Sequence, residues 1–359
     1  MKVTNVVLAG AAVGLSTANP VNKRAISDAD ILNYALTLEH LEASFYQEGL
    51  QNYTQADFVN AGYMDPFYAN LMEVASDEQT HVSFLTSALT AAGASPVAAC
   101  TYTFPSTDVK SFLALASVLE GVGVSAYLGA ASSIMDATYL TAAGSILTVE
   151  ARHSAYLRAY LGESPFAQAF DNPLDFNEVY TLAAPFITAC PSTNGKLPVM
   201  AFPTLTMSST NTLMNGSTVQ LTAGSGFNTS STDLYAAFIT VTGPVWAPLQ
   251  SSGSGMFTVT IPSGVAGQSY VVITKGNTTA TDDNIVAGPA IVEIGKAMGG
   301  VGMSGCSSSM TATKSGAMSS TSATAPASSS PLYNAAVQKM SGSMFGVLGA
   351  GVLVAAALV

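Results

Sequence analysis

Two of the three histidines follow a glutamate by three residues, in Glu78-Gln79-Thr80-His81 and Glu150-Ala151-Arg152-His153. On a helix that spacing sets carboxylate and imidazole on one face, where both can reach a single metal centre. With ten glutamates in 359 positions, two of three histidines would acquire such a partner by chance roughly once in four hundred chains. Phe84-Leu85 and Tyr156-Leu157 then follow the two histidines at matching positions. Upstream of each motif lies another glutamate with a tyrosine seven residues on, Glu39 with Tyr46 and Glu120 with Tyr127. The pattern is an internal duplication, each half offering Glu and then Glu-x-x-His. His40 lacks such a partner and reads as a solvated surface residue.

Holding these side chains together requires four long helices. Ser27 or Asp28 can cap the first, whose apolar residues Ile31, Tyr34, Leu38, Leu41 and Phe45 recur at three and four, ending near Gly49. Further helices are expected over 66–92, 106–135 and 138–161, with a short fifth over 176–187. The segment 92–106, marked by Gly93, Pro96 and Pro105, reaches roughly 50 Å when extended. A helix of about 26 residues is only about 39 Å long, so the segment can cross the bundle's length and leave helices two and three parallel. The stripe Leu38-Leu41-Phe45 points Glu42 inward more directly than Glu39, whereas the repeat favours Glu39, so both stand as candidates. Glu120 is the one acid between Ser111 and Met135, and burying it without a partner would be costly.

The set of a Glu from two helices and Glu-x-x-His from two others resembles the ferritin-like superfamily. The stretch Leu38-Glu39-His40-Leu41-Glu42-Ala43-Ser44-Phe45-Tyr46 is similar to its fungal and plant branch named for desiccation, stress response or sexual development. The resemblance covers about residues 28–190. It implies that Glu39 and His81 end-cap one metal, that Glu120 and His153 end-cap the other, and that Glu78 and Glu150 bridge, with Glu42 the alternative to Glu39. Hard carboxylates with one imidazole per metal suit iron, or else manganese, better than zinc or copper. Tyr46 and Tyr127 are then expected to bond the ligand carboxylates.

The remainder of the chain reads as export and display. Residues 1–18 have a signal-peptide pattern, and 19–24 end in the dibasic pair Lys23-Arg24, so the helical domain is expected over 25–192. Over 200–295, short Val/Thr/Ile-rich runs punctuated by Gly, Pro, Ser and Asn predict an all-β, immunoglobulin-like sandwich, with Trp246 a packing residue. Residues 296–333 form a Ser/Thr/Gly-rich stalk, and 334–359 match a glycolipid-anchor signal with attachment at Asn334. Cys100 and Cys190 lie after different helices and are expected to pair, leaving Cys306 in the stalk. Asn52, Asn215, Asn228 and Asn277 open glycosylation sequons. A net charge of -11 excludes a nucleic-acid partner. Two functions follow as expectations. One is a surface-anchored di-metal redox protein that oxidises Fe(II) or consumes oxygen or peroxide. The other is a non-enzymatic wall or adhesion protein that binds cell-wall polysaccharide.

Overall fold

The computed structural model describes residues 26–208, 213–228 and 230–295. The expected signal peptide, dibasic segment, stalk, anchor signal, Asn334 and Cys306 lie outside the described residues.

Four long helices form the first half: α1 (Asp28–Asn52), α3 (Phe67–Ala91), α4 (Val109–Ala130) and α5 (Ala137–Tyr160), with short α2 (Gln55–Asn60) and α6 (Phe176–Ala183). Each start has a local cause. Ser27 and Asp30 close a capping box on α1, and Asp108, Asp136 and Asp175 accept backbone N–H groups at the heads of α4, α5 and α6. The expected third helix ends earlier than Met135, its last turn tightening into a 3-10 helix at Ala131–Ser133. Helix α2 has six residues and one buried side chain, Phe58, too short to give a periodic signal.

Cross-helix pairs fix the directions. Tyr46 meets Glu120 while Tyr127 meets Glu39, so α1 and α4 are antiparallel. Asn70 meets Tyr156 and Asp77 meets His153, so α3 and α5 are antiparallel as well. With α1 and α3 joined as a hairpin, α3 and α4 run parallel, as the long connection predicts. That connection is pinned at three points. Val97 N–H donates to Asn33 Oδ1 at 2.9 Å, the Cys100–Cys190 disulfide closes on it, and β1 (Thr101–Tyr102) pairs with β2 (Ile187–Ala189). His40 corrects the sequence expectation, since it is half-buried with Nε2 3.1 Å from the Val97 carbonyl oxygen. Burial lowers its pKa.

Two four-stranded antiparallel sheets make the second half. One has the order β3 (Leu205–Met207), β4 (Thr218–Ala223), β8 (Met256–Thr260), β7 (Gln250–Gly253). The other has the order β10 (Ile285–Ile294), β9 (Gly267–Lys275), β5 (Leu234–Phe238), β6 (Val245–Pro248). Lettered along the chain, these are the ABED and GFC orders of an immunoglobulin sandwich, the second extended by one strand beside C. Leu221, Phe257 and Val259 of the first sheet meet Phe238, Val271 and Ile273 of the second in a shared core.

The outer face of the second sheet is buried too. Tyr270, Val272, Ala237 and Ile285 pack into the helical core, and Trp246 packs there rather than between the sheets. This is why β9 reads as an apolar run instead of alternating. Gln268 Nε2 donates to the Val118 carbonyl of α4 at 3.1 Å, and Tyr270 donates to the Gly121 carbonyl at 2.9 Å. A side chain at Gly121 would collide with Gln268, whose amide carbon lies 2.5 Å from the ideal Cβ position. Asn52, Asn215, Asn228 and Asn277 are all exposed. The Asn215 amide, however, donates to Pro262 O at 2.6 Å and Val265 O at 3.0 Å, bonds a glycan would disturb.

Sequence reading missed the ion pair that joins the halves. Arg158 of α5 is buried and bonds both oxygens of Glu293 on β10, at 2.7 and 2.8 Å. Arg158→Ala is expected to lower stability by about 3 kcal/mol, because it strands the Glu293 carboxylate, whereas Arg158→Met with Glu293→Leu recovers most of the loss. Urea melts of the two variants check this. Equal losses in both would show that the pair is not the joining interaction.

Candidate metal centre

The site grows from one position on each long helix. Glu39, Glu78, Glu120 and Glu150 have no solvent exposure, and His81 and His153 are buried beside them. Glu78 and His81 share a face of α3, and Glu150 and His153 share one of α5, as their spacing requires. All six predicted residues converge in the middle of the bundle.

Their oxygen and nitrogen atoms form two overlapping groups. Glu39, Glu78, His81 and Glu150 present ligand atoms within 4.8 Å of one another, and so do Glu78, Glu120, Glu150 and His153. Glu78 and Glu150 belong to both groups, the position of bridging carboxylates. His81 Nδ1 lies 3.2 Å from Glu39, 3.3 Å from Glu78 and 3.3 Å from Glu150. His153 Nδ1 lies 2.9 Å from Glu78 and 3.3 Å from Glu120. Tyr127 donates its hydroxyl hydrogen to Glu39 and Tyr46 donates to Glu120, so each tyrosine orients the carboxylate of the other repeat.

Inside this cluster Glu78 Oε1, Glu120 Oε2, both oxygens of Glu150 and His153 Nδ1 are buried without a hydrogen-bond partner. Several of them lie within 3.3 Å of a neighbour in the cluster yet make no aligned hydrogen bond. Orphaned buried polar atoms are rare and costly. A set of carboxylates and imidazoles arranged this way could hold metal, and hard cations match the oxygen-rich donors.

Protonation shows the same strain. Burial pushes Glu39 up to about 7. Burial raises Glu120, with the Glu78 charge adding to it, and drives Glu150 higher still. Glu78 goes the other way, because the adjacent His153 and His81 imidazoles outweigh its burial. Burial would lower the imidazoles, yet Glu150, Glu39 and Glu78 push His81 up to about 12, while Glu120 and Glu78 push His153 up to about 11. The metal-free cluster thus keeps as protons the positive charge that its carboxylates demand.

Glu39 and Glu42 are both buried, but only Glu39 belongs to a ligand group. Glu42 lines an apolar cavity of about 90 Å³ with Leu38, Leu119, Val122, Leu182 and Phe186. Burial, then the charge of Glu150, drives its pKa well above the carboxylate range. In the repeat its counterpart on α4 is Gly123. An ideal Cβ there would sit 2.7 Å from Glu150 Oε2 and 3.1 Å from Glu42 Oε1, so only glycine leaves room for both acids. Asp77 is a further group that spacing did not reveal. Its Oδ2 lies 3.2 Å from His153 Nε2, whereas the equivalent position before Glu150 is Val149.

Comparison with known proteins agrees with this geometry. Residues 27–163 match the family model described as a ferritin-like domain. Protein rds1 of Schizosaccharomyces pombe is 27% identical over 333 aligned residues, covering 75% of this chain and 81% of that protein. That share is too large to lie within the first 163 residues, so the likeness continues past the bundle. The helical N-terminal half of this chain, over residues 27–163, is a ferritin-like domain.

Proposed function

We propose that the bundle holds two metal ions, iron first and manganese as the alternative, and that the protein oxidises Fe(II) or consumes oxygen or peroxide. The observation that carries this is the pair of four-residue ligand groups sharing Glu78 and Glu150. Glu39 and His81 would hold one ion, Glu120 and His153 the other. A bound pair of such ions supplies electrons to a small oxidant. The chain's own part is to fix the carboxylates through Tyr46 and Tyr127 and to exclude bulk water.

A narrow apolar cavity supports a small oxidant. It has a volume of about 30 Å³ and is lined by Ile31, Leu38, Ala126, Ala142, Ala143 and Tyr127, the last of which bonds Glu39. An apolar space of this kind favours a small uncharged oxidant.

The Cys100–Cys190 disulfide and the exposed sequons Asn52, Asn228 and Asn277 favour an exported protein, tethered through Asn334 and facing the wall. A surface scaffold without turnover is the second reading, favoured by the same features.

Metal analysis separates the two. After anaerobic reconstitution of residues 25–333 with ferrous or manganous salt, about two ions per chain are expected. Glu78→Ala with Glu150→Ala should abolish binding and any ferroxidase or peroxidase turnover. Substoichiometric metal in the unaltered protein would leave only the scaffold.

Binding should also release protons. His81 and His153 are protonated in the metal-free cluster at neutral pH, since their pKa values are raised to about 12 and about 11, and both must become neutral to ligate. Affinity is therefore expected to rise with pH through the neutral range. Calorimetric titration in buffers of different ionisation enthalpy reads the protons directly, and a buffer-independent heat would contradict the assignment.

A further inference from the structure

A cleft of about 400 Å³ lies where the two halves meet, on the opposite face of α4 and α5 from the candidate ligands, none of which lines it. Its floor is α4 and α5 at Ser125 and Ala155, one wall is the loop after α5, and the other is the start of β9. Volume and placement at a domain junction are those of a small-molecule site.

The cleft is built rather than incidental. Arg158 at its back is held by Glu293, and its Nε donates to Ser164 O at 3.0 Å. Buried Asn172 donates to Gln268 O at 3.2 Å, tying the loop to β9. Around this fixed frame stand three polar side chains without a hydrogen bond or ion pair among the described residues: Arg152, Gln168 and Asp171. Beside them Phe166 stands 80% exposed, and Phe170 on the same loop is 65% exposed. Phe166 lines the cleft with its ring open to a ligand.

The charges decide the ligand class. Arg158 is neutralised by Glu293 and by Glu163 at 3.4 Å, so it offers nothing to an anion. Arg152 and Asp171 oppose each other, so the open groups carry no net charge. What they offer is one strong donor, one strong acceptor and an amide that does both. A sugar ring answers all of these, since its hydroxyls donate and accept while its C–H face covers an aromatic ring.

We infer that this interdomain cleft binds a neutral saccharide unit, stacked on Phe166 and hydrogen-bonded by Arg152, Gln168 and Asp171. The inference stands apart from the metal reading, because no metal ligand lines the cleft. It also places polysaccharide recognition at the junction of the two halves rather than on the sandwich alone.

Calorimetric titration of the purified full chain with gluco-, manno- and chito-oligosaccharides tests it. At least one series should bind, and Phe166→Ala and Asp171→Ala should each weaken binding about tenfold, the loss of one good contact. Both residues are exposed at the rim, so melting temperatures should not change. Failure of every series to bind would overturn the proposal, as would binding that survives both substitutions. Preferential binding of citrate or spermidine as charged probes would overturn it as well.

Discussion

Four glutamates with no exposure and two buried histidines occupy the middle of the helical half, and a fifth glutamate, Glu42, sits beside them. Removing an isolated carboxylate from water costs far more than any single packing contact returns, so so many acids in one core persist only if positive charge neutralises them. Without metal, the raised pKa values of His81 and His153 supply that charge as imidazolium, and the raised pKa of Glu39 lessens the demand. Every feature around the cluster serves this constraint. Tyr46 and Tyr127 satisfy one oxygen each from across the bundle, and glycine at 123 leaves space for two carboxylates.

Helix α4 carries the constraint into the second half. It is apolar enough to cross a membrane by composition, yet most of its surface is buried within the fold. One face holds Glu120, Gly123 and Tyr127 toward the acids. The other meets Gln268 and Tyr270 of β9 through Gly121 and Ser125. A central glycine costs helix stability, and α4 has two within three residues, one for each face. The sandwich is therefore packed into the architecture that positions Glu120, because its second sheet is covered on both sides.

Periodicity and spacing revealed the four long helices, the parallel pair and all six cluster residues, because each depends on short-range repeats that one sequence displays. Strands were harder. Five β runs were visible, but β3, β6 and β7 have three or four residues each and blend into loops. The Glu39 against Glu42 ambiguity also has a physical origin. Both residues face inward, one turn apart, and only their tertiary neighbours, His81 and Tyr127 beside Glu39 and apolar side chains around Glu42, separate their roles. Asp77, His40 and the Arg158–Glu293 pair were invisible, since each partner is fixed by tertiary packing more than fifty residues away.

The duplication also explains where the two halves of the site differ. Aligning Glu39 with Glu120 and Glu78 with Glu150 sets Phe45 against Ala126, Phe112 against Ile31 and Leu71 against Ala143. At the Tyr46 end, Phe45 and Phe112 stack with centroids 4.7 Å apart, and Phe58 and Leu71 complete a solid core. At the Tyr127 end the smaller counterparts Ala126, Ile31 and Ala143 leave the apolar cavity that reaches that tyrosine. Volume lost by substitution in a packed interior is not fully recovered by relaxation, so the exchange of large for small residues leaves space behind Tyr127. The Glu39 side therefore borders this space through Tyr127, which bonds Glu39. On the other side Tyr46, which bonds Glu120, is backed by the rings of Phe45 and Phe112, and Asp77 braces His153. The two copies of the repeat thus differ in what packs behind each tyrosine, while the acids at the centre correspond position for position.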